Sequence, residues 1–163
     1  MIDNEDALRT QLLQLLRGGH AHMSLDAAVE DFPMTSINRF PPEVPYTPWH
    51  LLEHVRISQW DILEFIRDAQ HVSPEWPEGY WPPGDQVADR AMWAETLTRY
   101  RADHQALERI VEDPETDLSR DLPHASGYSV LREILVVSDH NAYHIGEFAI
   151  LRQIMQTWPS DRA

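Results

Sequence analysis

The chain has 163 residues and a formal net charge of -14, and 42% of its residues are hydrophobic while 25% are charged. This size and composition predict one globular domain that spans residues 1–163. Such an acidic surface repels phosphate backbones and anionic lipids, which argues against nucleic-acid and membrane partners. The lack of cysteine excludes disulfides, thiolate metal sites and a cysteine nucleophile. With an acidic N-terminus unlike a signal peptide, and no apolar run of membrane-spanning length, a cytoplasmic location is expected.

Hydrophobic residues recur at intervals of three and four along four long segments, which is typical of amphipathic helices. Segments rich in proline and glycine separate them, because proline ends a helix and glycine caps one. The predicted helices cover residues 4–17, 48–66, 86–112 and 128–158, and a short helical turn is predicted at residues 25–29 after the N-cap Ser24. No segment shows the sustained alternation of a strand. The sequence therefore predicts an all-α fold, a four-helix bundle with two long crossover loops.

The second long loop, residues 73–85, contains Trp76, Tyr80 and Trp81 among several prolines. Large aromatic side chains in a loop bury apolar surface. The favoured interpretation is a lid that holds the loop on the bundle. The less favoured alternative is a wall that faces a substrate.

His140 and His144 form the most informative pair in the chain. Residues four apart share one face of a helix with their Cβ atoms about 6 Å apart, so two imidazoles at this spacing can close on one metal ion. The pair lies in an apolar stripe with Val137, Phe148 and Leu151, which places it toward the interior. Two stacked imidazoles in the interior need partners for their ring nitrogens, and a shared metal ion satisfies both.

A metal site needs at least a third ligand, and the second helix offers His50 and His54. At about 100° per residue, His54 lies about 100° from Val55 at the rim of the apolar face, and His50 lies about 140° away toward solvent. His54 is therefore the better inward-facing ligand, and His50 is expected to be exposed or in an outer shell. Together His54, His140 and His144 predict a three-histidine site with one coordination position left for water or substrate.

Two segments of the chain resemble the DinB-like superfamily of small four-helix-bundle proteins, also called YfiT-like. They are PWHLLEHVRISQ and the following WDIL at residues 48–63, and DHNAYHIGE at residues 139–147. The helix order and loop placement of nearly the whole chain are similar to that family as well. The resemblance implies that one histidine near the start of the second helix and a His-x-x-x-His pair on the fourth bind a divalent metal ion. These positions are His54, His140 and His144 here, whereas the family often has glutamine at the position of Glu147.

The resemblance also implies a metal-dependent enzyme. Relatives in that family include transferases and isomerases that use low-molecular-weight thiols such as mycothiol or bacillithiol, and some hydrolases. Zinc and nickel both suit nitrogen ligands, and an open position lets the ion activate a thiol or water. Two alternatives are a metal-binding stress-response protein without catalysis and a metal-free helical module that works by association. The family further implies a homodimer, for which an exposed Trp49 or Trp60 could provide contacts.

The other histidines and Glu147 rank lower as site residues. His104 lies on the apolar stripe of the third helix and is expected to be a core histidine with one hydrogen bond rather than a fourth ligand. Glu147 is expected to lie on the surface at the edge of its stripe, with an alternative role in orienting a ligand imidazole or accepting a proton. Turn, helix-end or loop positions are predicted for His20, His22, His71 and His124.

Overall fold

The computed structural model describes residues 4–160, and α-helices dominate that part of the chain. The helices are α1 (Asn4–Arg17), α2 (Leu25–Val29), α3 (Pro48–Arg67), α4 (Arg90–Glu112) and α5 (Val130–Met155). Short 3-10 turns at Met34–Ser36 and Glu78–Tyr80 lie in the two long loops. The predicted all-α fold is confirmed. None of the helices in residues 4–160 combines the length and apolarity that crossing a bilayer takes.

The four long helices form a bundle with α1 and α3 at opposite corners, because each of these two packs against both α4 and α5. Two clusters of buried side chains fill the bundle, one under α2 and the start of α3 and the other beside α1. Their best-buried members include Leu51, Leu63, Leu107, Ile134 and Phe148. Burial of each such side chain stabilises the fold by about 1.5–3 kcal/mol. This packing fixes α3 against α5, the two helices that carry the predicted metal ligands.

The first turn of α3 is held by a capping box between Thr47 and His50. The Thr47 hydroxyl accepts from the His50 backbone N–H at 3.2 Å, and His50 Nδ1 accepts from the Thr47 backbone N–H at 3.4 Å. His50 Nε2 therefore carries the ring proton and donates to the Gln86 carbonyl at 2.9 Å. Of the two positions expected for His50, the exposed one is wrong, since its exposed fraction is only 2%. Trp49 is equally buried, so its predicted role as an exposed contact is also wrong.

The ends of α4 and α5 differ from the predicted ones because local caps set them. Helix α4 begins at Arg90 and not at residue 86, since the Asp89 side chain accepts from the Met92 backbone N–H at 2.8 Å. Helix α5 begins after the N-cap Ser129. It ends at Met155 and not at residue 158, because the next residue, Gln156, adopts a left-handed conformation.

A short antiparallel hairpin, which the sequence did not predict, precedes α5. Strand β1 (Asp121–Leu122) pairs with β2 (Ala125–Ser129), and the register is irregular within β1. Strands this short cannot show the alternation that identifies a strand in a sequence. The hairpin lies at the start of α5 and contacts that helix.

Candidate metal centre

The structure brings together the three predicted histidines, one from α3 and two from α5. Nε2 of His54 lies 3.2 Å from Nε2 of His140 and 3.2 Å from Nε2 of His144. One ligand atom from each of the three residues lies within 4.8 Å of the others. Tetrahedral zinc with bonds of about 2.0–2.1 Å separates neighbouring nitrogens by about 3.3 Å. The spacing of these rings therefore suits one small divalent cation.

The hydrogen bonds of the outer ring nitrogens fix where the protons lie on two of the rings. Nδ1 of His54 lies 2.9 Å from the Tyr80 carbonyl oxygen, and Nδ1 of His144 lies 2.7 Å from a Glu147 carboxylate oxygen. Carbonyl and carboxylate oxygens only accept, so both Nδ1 atoms carry a proton and donate it. In neutral rings the two Nε2 atoms then face each other with lone pairs. A cation between them turns this repulsive contact into an attractive one.

Burial favours the neutral form, which binds metals, in His54 and His140. It is the main cause that lowers the pKa of His54, and the neighbouring His144 adds to it, although the hydrogen bond to the Tyr80 carbonyl opposes both. Burial, followed by His144 and His54, lowers the pKa of His140 to about 4. At neutral pH His140 is therefore uncharged, which is the form of the ring that can offer a nitrogen lone pair to a cation.

Glu147 binds the His144 ring at Nδ1, the nitrogen that points away from the other two histidines. Its carboxylate accepts hydrogen bonds from Nδ1 of His144 and from the Tyr46 hydroxyl. Burial raises the pKa of Glu147, but the bonds from His144 and Tyr46 outweigh it and lower the pKa below its usual range. Glu147 lies at the edge of the stripe with 25% of its side chain exposed, and its bond to His144 fits the alternative role in orienting an imidazole. The spacing of three residues between His144 and Glu147 could have indicated this contact from the sequence. The contact of Tyr46 could not be found in this way, because Tyr46 lies in a loop.

His140 has the weakest outer support of the three. Its Nδ1 is buried without a hydrogen-bond partner, and so is Oδ1 of the adjacent Asn141. The amide of Asn141 donates to Gln59 Oε1 at 3.0 Å, while Gln59 donates to the Tyr100 carbonyl at 2.8 Å. This chain of amides fixes the orientation of Asn141, and its side chain raises the pKa of His140 against the effect of burial. Packing, more than hydrogen bonding, therefore orients His140.

A cavity of about 370 Å³ opens beside the histidines, and the aromatic loop forms one of its walls. The Trp81 ring stacks on the His54 ring at 4.0 Å between centroids, with 3° between their planes. Trp76 lies farther out and is 69% exposed. The cavity is lined by His54, Ser58, Asp61, Ile62, Trp76, Tyr80, Trp81, His140 and His144. The aromatic loop therefore packs on the bundle, as the lid interpretation expected, and also forms a wall of this cavity.

Asp61 anchors this loop to α3. Its carboxylate accepts from the Tyr80 hydroxyl at 2.6 Å and contacts Nε2 of His71 at 2.7 Å. Burial and the bond to Asp61 raise the pKa of Tyr80 to about 12, so the phenol stays protonated. His71 lies just after the end of α3, as predicted, and its ring contacts Asp61. This anchor holds the Tyr80 carbonyl oxygen in the position where it accepts the hydrogen bond from Nδ1 of His54.

Three of the remaining histidines outside the cluster contact backbone carbonyls. Nε2 of His104 donates to the Leu16 carbonyl at 2.9 Å, which confirms a hydrogen-bonded histidine away from the site. Nε2 of His124 lies 2.8 Å from the Phe65 carbonyl oxygen. Nδ1 of His22 lies 2.8 Å from the carbonyl oxygen of Met23. None of these three belongs to the group of ligand atoms found among residues 4–160.

Comparison with known proteins shows the family to which the chain belongs. A family model described as the DinB superfamily matches residues 19–148, a stretch that contains all three clustered histidines and both long loops. No curated protein and no solved structure matches the chain. The match covers most of the 163 residues. The resemblance carried by the two histidine segments is confirmed, and the chain belongs to the DinB superfamily.

Proposed function

We propose that His54, His140 and His144 bind one divalent metal ion, zinc or nickel, and that the protein is a metal-dependent enzyme acting with a small thiol or with water. One observation carries the proposal. The lone pairs on Nε2 of His54 and His144 face each other at 3.2 Å while both Nδ1 protons are engaged elsewhere. Three nitrogen donors at this spacing suit borderline-soft cations better than magnesium or calcium.

The protein's own residues have separate roles in this proposal. The three imidazoles bind the ion, and Glu147 and the Tyr80 carbonyl hold two of them in the tautomer that leaves Nε2 free. Trp81 covers one face of His54 and excludes water from that side. A bound ion supplies Lewis acidity, which lowers the pKa of a thiol or water in its open position.

The cavity beside the histidines favours a catalytic role of the metal site over metal binding without catalysis. Structural metal sites are usually closed by four protein ligands, whereas catalytic sites keep one position open. Here three histidines converge, and the space next to them is lined mainly by aromatic side chains. The alternative of a metal-free association module has the histidines bonded to each other and to water. It leaves the contact between Nε2 of His54 and Nε2 of His144 unfavourable, because neither neutral ring has a proton on that nitrogen.

The test is metal analysis of protein purified without a nickel column, followed by a panel of electrophiles with and without small thiols. We expect about one zinc or nickel ion per chain and metal-dependent transfer or hydrolysis with at least one substrate class. Chelation should abolish the turnover, and readdition of the ion should restore it. A full metal site without turnover of any panel member would favour the non-catalytic alternative. Protein that takes up no divalent ion would contradict the whole proposal.

We also propose that the protein is a homodimer formed through the outer face of α5. Leu135, Tyr143, Ile150 and Ile154 are 45–71% exposed there, and their spacing places them along one stripe of the helix. A row of exposed apolar side chains marks an interaction surface more often than a solvated one. Sedimentation equilibrium should give twice the chain mass, and Ile150→Glu should give the monomer mass. A wild-type protein that is monomeric at micromolar concentration would rule out the dimer.

A further inference from the structure

The contacts among the clustered histidines determine the tautomer of His140 in the metal-free protein. Nδ1 of His54 donates to the Tyr80 carbonyl at 2.9 Å, so Nε2 of the neutral His54 ring carries only a lone pair. Nε2 of His140 lies 3.2 Å from this nitrogen. The contact is a hydrogen bond only if Nε2 of His140 carries the proton. The neutral His140 ring therefore has its proton on Nε2 and a lone pair on Nδ1.

Nδ1 of His140 and Oδ1 of the next residue, Asn141, are both enclosed by protein. Neither atom has a hydrogen-bond partner, and neither has surface that water can reach. Buried polar atoms without a partner are uncommon in proteins, so two of them on neighbouring residues call for an explanation. An imidazole nitrogen can donate or accept, depending on the tautomer, whereas an amide oxygen only accepts. The two atoms match each other as soon as Nδ1 carries a proton.

The direction of the Asn141 amide is fixed by a chain of hydrogen bonds. The Tyr100 carbonyl only accepts, so Nε2 of Gln59 donates to it at 2.8 Å and Oε1 of Gln59 faces Asn141. Nδ2 of Asn141 donates to this oxygen at 3.0 Å and lies 3.3 Å from the Tyr100 hydroxyl. A reversed amide would bring two acceptor oxygens together. The oxygen end of Asn141 is therefore the end that lacks a partner.

The side chain of Asn141 acts on His140 as a hydrogen-bond acceptor does. Burial is the main cause that lowers the pKa of His140 to about 4, whereas hydrogen bonding by Asn141 raises this pKa. A neighbour raises the pKa of a histidine in this way when it accepts a proton from the charged ring. Nδ1 is the nitrogen available to Asn141, because Nε2 faces His54. Oδ1 of Asn141 is therefore placed to accept from Nδ1.

We propose that Asn141 is a positioning residue of the metal site, which accepts a hydrogen bond from Nδ1 of His140 when ion binding moves the ring proton there from Nε2. The inference rests on the proposed metal binding by the three histidines. An ion at Nε2 needs the lone pair of that nitrogen, so a neutral ring must carry its proton on Nδ1. One proton leaves Nε2 and one joins Nδ1, so the ring stays neutral. Two buried atoms that lack partners in the metal-free protein then bind each other.

NMR of the His140 ring nitrogens in nitrogen-15-labelled protein at pH 7.5 tests the change of tautomer. Long-range proton–nitrogen correlations distinguish protonated, unprotonated and metal-bound nitrogens, and the signals missing from His140→Ala assign this ring. The metal-free protein should show a protonated Nε2 and an unprotonated Nδ1. One equivalent of zinc should give a metal-bound Nε2 and a protonated Nδ1. A ring with Nδ1 protonated before zinc is added, or one that binds zinc through Nδ1, would overturn the inference.

Substitution of Asn141 measures its effect on the ion. Asn141→Leu removes the acceptor at similar side-chain size and should weaken zinc binding about tenfold, since loss of an outer partner of a ligand histidine costs about 10–100-fold. Gln59→Leu is the matched control, because it breaks the same chain of amides but keeps Oδ1 of Asn141, and Nδ2 still has the Tyr100 hydroxyl. Its loss of zinc affinity should be at least about threefold smaller. Equal losses would mean that the amides act through rigidity alone, and would overturn the inference.

The same zinc titrations separate this inference from the proposed function. Wild-type protein that takes up no zinc would refute both. Zinc uptake with the expected change of tautomer, but without turnover of any substrate, would support the inference and refute only the enzymatic part of the proposed function. Zinc bound by the protein while His140 keeps its proton on Nε2 would overturn the inference alone.

Discussion

Replacing His140 with alanine is expected to weaken zinc binding by at least about 100-fold. The variant keeps His54 and His144 but loses the third donor, whose Nε2 lies 3.2 Å from Nε2 of His54. Mutation of residues that merely support a ligand typically costs 10–100-fold in metal affinity, so loss of the ligand itself should cost at least the upper value. Competition with a chromophoric chelator at pH 7.5 measures the dissociation constants of both proteins.

His104→Ala is the matched control for this loss. It also removes a partly buried histidine and a hydrogen bond to a backbone carbonyl, but its ring belongs to α4 and bonds the Leu16 carbonyl. We expect its zinc affinity to stay within about threefold of that of the wild-type protein, even if its thermal stability falls. A His140→Ala variant that binds zinc as tightly as His104→Ala does would show that the cluster is not the metal site.

The histidine positions could be predicted because each belongs to a long helix with a regular apolar stripe. The spacing of His140 and His144 placed both on one face of α5, and rotation along α3 selected His54 over His50. The structure brings these three rings together. Rotation placed His54 at the rim, yet its exposed fraction is only 2%. The loop residues Tyr80 and Trp81 cover it, and helix periodicity carries no information about a loop.

The hydrogen bonds that hold the clustered histidines in place could not be predicted for the same reason. Tyr46 bonds Glu147 across 101 residues of sequence, and the Tyr80 carbonyl bonds His54 across 26. Such contacts depend on how the long loops return to the bundle, which no local spacing encodes. His50 shows the complementary error, because the helical wheel places it about 140° from the centre of the apolar face, where water would be expected. In the protein, the backbone at Gln86 accepts its ring proton and removes it from solvent.

A loss of stability at mildly acidic pH is expected for the metal-free protein. His140 stays neutral in the folded state until about pH 4, whereas an unfolded histidine takes up a proton near pH 6.5. Between these values the unfolded state binds more protons, so the free energy of unfolding falls as the pH falls. Above about pH 6.5 the His140 ring is neutral in both the folded and the unfolded state, so this loss of stability is absent. A shift of this size corresponds to about 3 kcal/mol, and partial exposure of the ring lowers the expected loss to about 2 kcal/mol.

Urea unfolding of the metal-free wild-type protein and of His140→Ala, at several pH values between 7.5 and 4.5, measures this loss. Both proteins share the titration of their carboxylates, so the difference between their unfolding free energies isolates His140. Wild-type protein should lose about 2 kcal/mol more than the variant as the pH falls from 7 to about 4.5. Zinc added to the wild-type protein should delay the loss to lower pH, because the ion and the proton compete for the same nitrogens. Parallel stability profiles for the two metal-free proteins would mean that His140 titrates as freely in the folded chain as in the unfolded one.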